Sequence, residues 1–113
     1  MNRTNTRKIL LTGGTGFIGG ELLRRLLRRD TRSIICLVRG GSAHEAQLRG
    51  EKTLREVLGR EPSARTAARV EWVQADIERP RLGLDDATFA RLALETEEVF
   101  HCAASTAFDL PYD

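Results

Sequence analysis

Side chains that carry much of protein chemistry are scarce in this sequence. Its 113 residues include two cysteines, two histidines, one tyrosine (Tyr112) and two lysines (Lys8 and Lys52). Cys36 and Cys102 sit inside the apolar runs Ile-Ile-Cys-Leu-Val and Val-Phe-His-Cys-Ala. That excludes a disulfide framework and marks both as small buried hydrophobes. His101 beside Cys102 is no metal pair, because adjacent strand residues point to opposite faces and a second pair is missing. No run approaches the roughly 20 apolar residues that span a bilayer, and the polar start Met1–Lys8 leads into no signal-peptide core. The expectation is a cytoplasmic protein with no membrane span. An excess of one charge is lacking too: 18 Lys and Arg against 16 Asp and Glu give +2, spread along the chain, which leaves no electrostatic footprint for nucleic acid. Arg24, Arg25, Arg28 and Arg29 fall on the polar face and last turn of a helix, where cations suit the dipole.

Glycine is present where it matters. Thr12-Gly13-Gly14-Thr15-Gly16-Phe17-Ile18-Gly19 lies between the apolar run Lys8-Ile9-Leu10-Leu11 and a helical pattern. A strand that turns sharply into a helix presents unpaired N-terminal amides to a pyrophosphate, and side chains would block the approach. In this reading Gly13 permits the turn, Gly16 lets the main chain reach the phosphates, and Gly19 lets the helix pack closely. Gly14-x-Gly16-x-x-Gly19 satisfies the other common spacing. The strand before and the helix after supply the context that a bare glycine pattern lacks.

Helical spacing of Ile18, Leu22, Leu23, Leu26 and Leu27 predicts a first helix from about Gly16 to Arg29 with that set as its buried stripe. Ser33–Val38 reads as a strand covered on both faces. A polar helix follows from Ala43 to Gly59, with Leu48, Leu54, Val57 and Leu58 available to pack and Gly59 placed to end it. Ala64–Ala68 reads as a short helical turn, and residues 70–75 as a third strand in which Trp72 packs rather than stacks on a ligand. Pro80 and Gly83 mark a loop. Asp85 or Asp86 caps a helix through Phe89, Leu92 and Leu94, and residues 98–103 form a fourth strand. The alternation predicts an α/β, Rossmann-type doubly wound parallel sheet ordered 3-2-1-4 and truncated after about four strands, residues 1–113 being the N-terminal part of a single domain. Ligand is expected in the crevice between strands 1 and 4.

An NAD-binding unit carries an acidic residue about 20 positions beyond the glycines, to accept from the ribose hydroxyls. Arg39 stands there instead. An arginine pairs with a 2′-phosphate that a carboxylate would repel, so NADP(H) is preferred and NAD(H) is the alternative. Gly40 and Gly41 leave room for the phosphate.

These residues, together with Asp76-Ile77 and Val-Phe-His-Cys-Ala-Ala-Ser, resemble the extended short-chain dehydrogenase/reductase superfamily over nearly the whole chain. Within it, Cys36-Leu37-Val38-Arg39, the run from His101 to Phe108 and Leu110-Pro111-Tyr112 are similar to thioester reductases and fatty acyl reductases. The resemblance implies NADPH-dependent reduction of an acyl thioester, on a carrier protein or coenzyme A, to an aldehyde or alcohol. It places Asp76 against the adenine amino group and Ile77 against the ring, the alternative for Asp76 being a turn carboxylate that caps its own backbone. It also places Ala103, Ala104 and Ser105 along the ribose and nicotinamide. Catalysis in that family uses a Tyr with a Lys four residues later, the Lys lowering the pKa of the Tyr that gives its proton to the carbonyl oxygen. Tyr112 has no such partner within the 113 residues. The expectation is therefore the N-terminal, cofactor-binding part of such a domain, inactive alone and with no catalytic residue of its own. Two other readings share these features: part of a nucleotide-sugar epimerase or dehydratase, and a noncatalytic dinucleotide-binding module.

Overall fold

In the computed structural model, which describes residues 7–102, strands and helices alternate as follows: β1 (Lys8–Thr12), α1 (Phe17–Arg29), β2 (Ser33–Val38), α2 (Ala43–Leu58), α3 (Ala64–Ala68), β3 (Val70–Gln74), α4 (Asp86–Glu95) and β4 (Thr96–His101). A short 3-10 turn, Pro80–Gly83, precedes α4. The strands form one parallel sheet in the order β3-β2-β1-β4, as the alternation predicts. β4 begins at Thr96, two residues earlier than expected, because α4 passes into it without a loop.

Strand alternation sorts the core into two layers. Ile9 and Leu11 of β1 and Ile34, Cys36 and Val38 of β2 point to one face, where Leu23 of α1, Leu54 of α2 and Trp72 of β3 meet them. Leu10, Ile35 and Leu37 point to the other, against Ala75, Leu84 and Leu92 of α4. With α1 and α2 on one face and α4 on the opposite one, the sheet is doubly wound. β2 is central and buried on both sides, which is why it reads as an unbroken apolar run.

Three large apolar side chains of these helices are exposed. Ile18, 71% exposed, belongs to the first turn of α1, beyond the edge of the core. Leu48 is half exposed, because the inner line of α2 runs through Ala46, Gly50, Thr53 and Leu54. Leu94 is 83% exposed, and the buried contact of α4 is Leu92.

Helix ends follow local chemistry. Ser42, Ser63 and Asp85 cap α2, α3 and α4 by accepting from the amides of Glu45, Thr66 and Thr88. Gly59 ends α2 at φ 74°, in the left-handed region where glycine avoids a Cβ clash. Arg81 and Leu82 adopt φ 55° and 62°, at a cost of roughly 1–2 kcal/mol per residue. Leu82 offsets this by packing in the second layer, and Arg81 by lying over Phe89 and pairing with Asp86.

Candidate functional site

The site starts from the backbone between β1 and α1. Gly13 has φ 78°, and its carbonyl accepts from the Gly16 amide at 3.0 Å, so the chain turns within a few residues. A Cβ at Gly19 would lie 1.8 Å from the Gly13 carbonyl oxygen. The first turn of α1 therefore rests directly on the glycine turn, a closer contact than the helix-against-strand packing read from the sequence. α1 begins at Gly16 with no side-chain cap and no carboxylate in its first turn. Among the described residues it is the one α-helix of four without such a cap. Its N-terminal amides and the positive end of its dipole are left for an anion.

These amides open onto a cavity of about 530 Å³, within the range of roughly 300–1,000 Å³ usual for small-molecule sites. Gly13, Thr15, Gly16, Phe17, Ile18 and Gly19 form one side of it, and Arg39 and Ile77 stand opposite. The structure thus gathers eight of the residues singled out in the sequence. Thr12 and Gly14 do not line this cavity. Thr12 is buried, with Oγ1 2.6 Å from Nδ1 of His101, and Gly14 backs onto the core, where a Cβ would meet Leu11 at 3.3 Å. Asp76 lines a separate depression of about 210 Å³ between the ends of β2 and β3. Its Oδ1 accepts from the Glu78 amide at 3.0 Å, and its Oδ2 lies 4.0 Å from Arg39 Nη2. Asp76 thus caps its own turn. Ala103, Ala104 and Ser105 lie outside the described residues.

Other wall residues escape the sequence patterns. Leu37 and Ala75, at the ends of the two strands, supply an apolar surface, Cys102 closes the β4 side, and Glu78 and Arg49 bring charge. Arg49 projects from α2, with Nη1 donating to the Arg39 carbonyl at 2.8 Å. Two guanidinium groups therefore stand at the β2 end of the cavity. The sequence does not reveal Arg49, because its place depends on how α2 is rotated against β3. Cys36 offers no nucleophile, since burial pushes its thiol up to about 12. No helix among the described residues is long and apolar enough to cross a membrane.

The parallel sheet, the glycine turn and the uncapped helix over a cavity at the switch point define a dinucleotide-binding protein of the Rossmann type. Residues 11–113 match the NAD-binding family described as Male sterility protein, and the chain belongs to it. Its cofactor is accordingly a nicotinamide dinucleotide. Among solved structures it is similar to the terminal R domain from the myxalamid PKS-NRPS biosynthetic pathway, with 38% identity and a TM-score of 0.78 over 96% of this chain and 27% of that one. It is likewise similar to the reductase (R) domain of a non-ribosomal peptide synthetase from Mycobacterium tuberculosis, at 40% identity and a TM-score of 0.75 over 88% of this chain and 24% of that one. An isonitrile lipopeptide synthase from Streptomyces coeruleorubidus is 38% identical over 105 residues, which are 93% of this chain and 7% of that synthase. The chain thus spans a small part of the length of each of these relatives.

Proposed function

We propose that this chain is the NADP(H)-binding portion of a thioester reductase, the whole protein reducing an acyl thioester on a carrier protein or coenzyme A to an aldehyde or alcohol. The observation that carries the cofactor reading is the cavity itself, with an uncapped helix N-terminus on one side and Arg39 and Arg49 on another. The residues present fit the group: Gly13, Gly16 and Gly19 bring bare main chain to the cavity wall, and no carboxylate in the first turn of α1 opposes a phosphate. The similarity to the reductase (R) domain of a non-ribosomal peptide synthetase supports the reductase reading.

When bound, the reduced nicotinamide would supply a hydride. This chain's own residues bind and orient. The Gly13–Gly19 backbone holds the pyrophosphate through its amides. Arg39 and Arg49 pair with the 2′-phosphate through charge-assisted bonds, which NAD(H) cannot offer. The apolar wall of Leu37, Ala75 and Ile77 faces the adenine ring. Ala103, Ala104 and Ser105, by resemblance, face the ribose and nicotinamide. No Tyr-x-x-x-Lys pair occurs in the 113 residues, so the chain alone binds cofactor and does not turn over a thioester.

Titration with NADPH and NADH tests this. Each of Arg39→Ala and Arg49→Ala is expected to weaken NADPH binding by about 10-fold, the loss of one hydrogen bond to a charged group, with NADH unchanged. Equal affinity for the two cofactors, unaffected by either substitution, removes the phosphate role. Thioester reduction by the isolated chain would overturn its assignment as a binding portion only.

A further inference from the structure

The chain after β3 forms a turn that is strained and closed on itself. Arg81, Leu82 and Gly83 have φ of 55°, 62° and 71° in succession, and the first two are the non-glycine residues with positive φ among the described residues. The Asp76 amide donates to the Leu82 carbonyl at 2.8 Å, the Arg79 amide to the Asp76 carbonyl at 3.0 Å, and the Leu82 amide to the Arg79 carbonyl at 2.9 Å. Ile77 and Glu78 lie inside this ring of bonds, Ala75 leads into it, and all three line the main cavity. Leu82 fastens the ring to the protein by packing against Ile35, Leu37, Ala75 and Leu92. A left-handed backbone at arginine and leucine persists only where its surroundings over-determine it. Here the seat of Leu82 and the three backbone bonds do so.

We infer that Leu82 is a positioning residue for the adenosine half of the dinucleotide: its seat in the core keeps the turn left-handed, and the turn keeps the wall of Ala75, Ile77 and Glu78 formed before the cofactor arrives. This rests on the dinucleotide reading above. Leu82 is not itself among the residues that line the main cavity, so its effect on binding passes through those three. Without that seat the less strained right-handed backbone would open the ring, beginning with the bond between Asp76 and Leu82. Apparent affinity then falls with the fraction of molecules in which the wall is formed.

The test measures binding of NADPH and of adenosine 2′,5′-bisphosphate, which lacks the nicotinamide half, to the intact chain under conditions where it is fully folded. Leu82→Ala is expected to weaken both ligands by one shared factor of about 10, the scale of one left-handed residue released. Leu82→Met conserves volume and should restore the original affinity. The Asp76 amide should also exchange with deuterium faster in Leu82→Ala relative to the amides of β2, a local opening that a general loss of stability would not single out. If Leu82→Ala does not fold, Gly83→Ala decides: it strains the same turn from its exposed side, with φ of 71° and a Cβ 3.4 Å from that of Asp76, and should weaken both ligands alike. Original affinity in the deciding variant, a loss confined to NADPH, or an equal loss in Leu82→Met overturns the inference and leaves dinucleotide binding intact. Failure of the original chain to bind either ligand overturns the dinucleotide reading, and this assignment with it.

Discussion

Gly50 shows how one missing side chain sets the distance between two elements. It lies mid-helix in α2, where glycine costs about 1 kcal/mol relative to alanine. Yet a Cβ there would sit 2.1 Å from Cδ2 and 2.4 Å from Cε3 of Trp72, whose ring is buried in β3 and has no flexible end to give way. Overpacking of this kind costs about 1–3 kcal/mol, so the packing term wins over the helix propensity. Gly50→Ala is therefore expected to lower stability by up to about 2 kcal/mol, read from the urea midpoint, with a shifted Trp72 emission. A variant as stable as the original would mean that α2 lies farther from β3. The consequence reaches the site, because the seat of α2 on β3 is what brings Arg49 to the cavity.

At the scale of elements, the end of α1 and the start of β4 are tied by charge. Asp30 accepts from the backbone amide of Arg32 at 2.9 Å, from its Nε at 3.0 Å and from its Nη2 at 2.7 Å, and Arg32 reaches on to Glu97 and Glu98 of β4. Arg69, just before β3, donates to the carbonyls of Leu27, Asp30 and Arg32, closing the open end of α1 as a helix C-terminus requires. The Arg32 side chain and amide hold the Asp30 carboxyl well below its ordinary 3.8. A depressed carboxylate pKa contributes stability above the unfolded value, and loses it as pH falls through the folded one. Asp30→Asn, which resembles the protonated side chain, should thus destabilise by a constant amount above about pH 5, and the difference should shrink below about pH 4. Urea unfolding at a series of pH values measures this; a difference that grows on acidification would contradict the assigned pairing. The group is partly solvent-exposed, so the effect belongs to the modest class of surface pairs.

The whole molecule has an asymmetric sheet. β2 and β1 are central, whereas β4 hydrogen-bonds to β1 alone among the described strands and is largely exposed. Val99 is 56% exposed, and with Leu10, Leu84, Phe89 and Leu92 it borders an apolar groove of about 350 Å³ between α4 and the sheet. An unpaired strand edge beside apolar surface is a template for association. The 113-residue chain is expected to self-associate with rising concentration in sedimentation velocity, and Val99→Lys to reduce this. A monodisperse monomer with one cooperative unfolding transition would show instead that the edge is protected.

The sequence by itself determined the sheet order, the position of the glycine turn and the place of Arg39 just beyond the end of β2. Those features rest on period, on glycine spacing and on strand ends, which are local. It also led correctly to Gly59 as the stop of α2 and to Trp72 as a packing residue. What it could not determine is which side chains from distant elements meet. Arg49 and Glu78 line the cavity through the rotation of α2 and the turn at Asp76, while Leu48 leaves the core because α2 presents another line to the sheet and Ile18 because it lies beyond the core's edge. Periodicity tells which residues share a face, but only tertiary packing decides what that face meets.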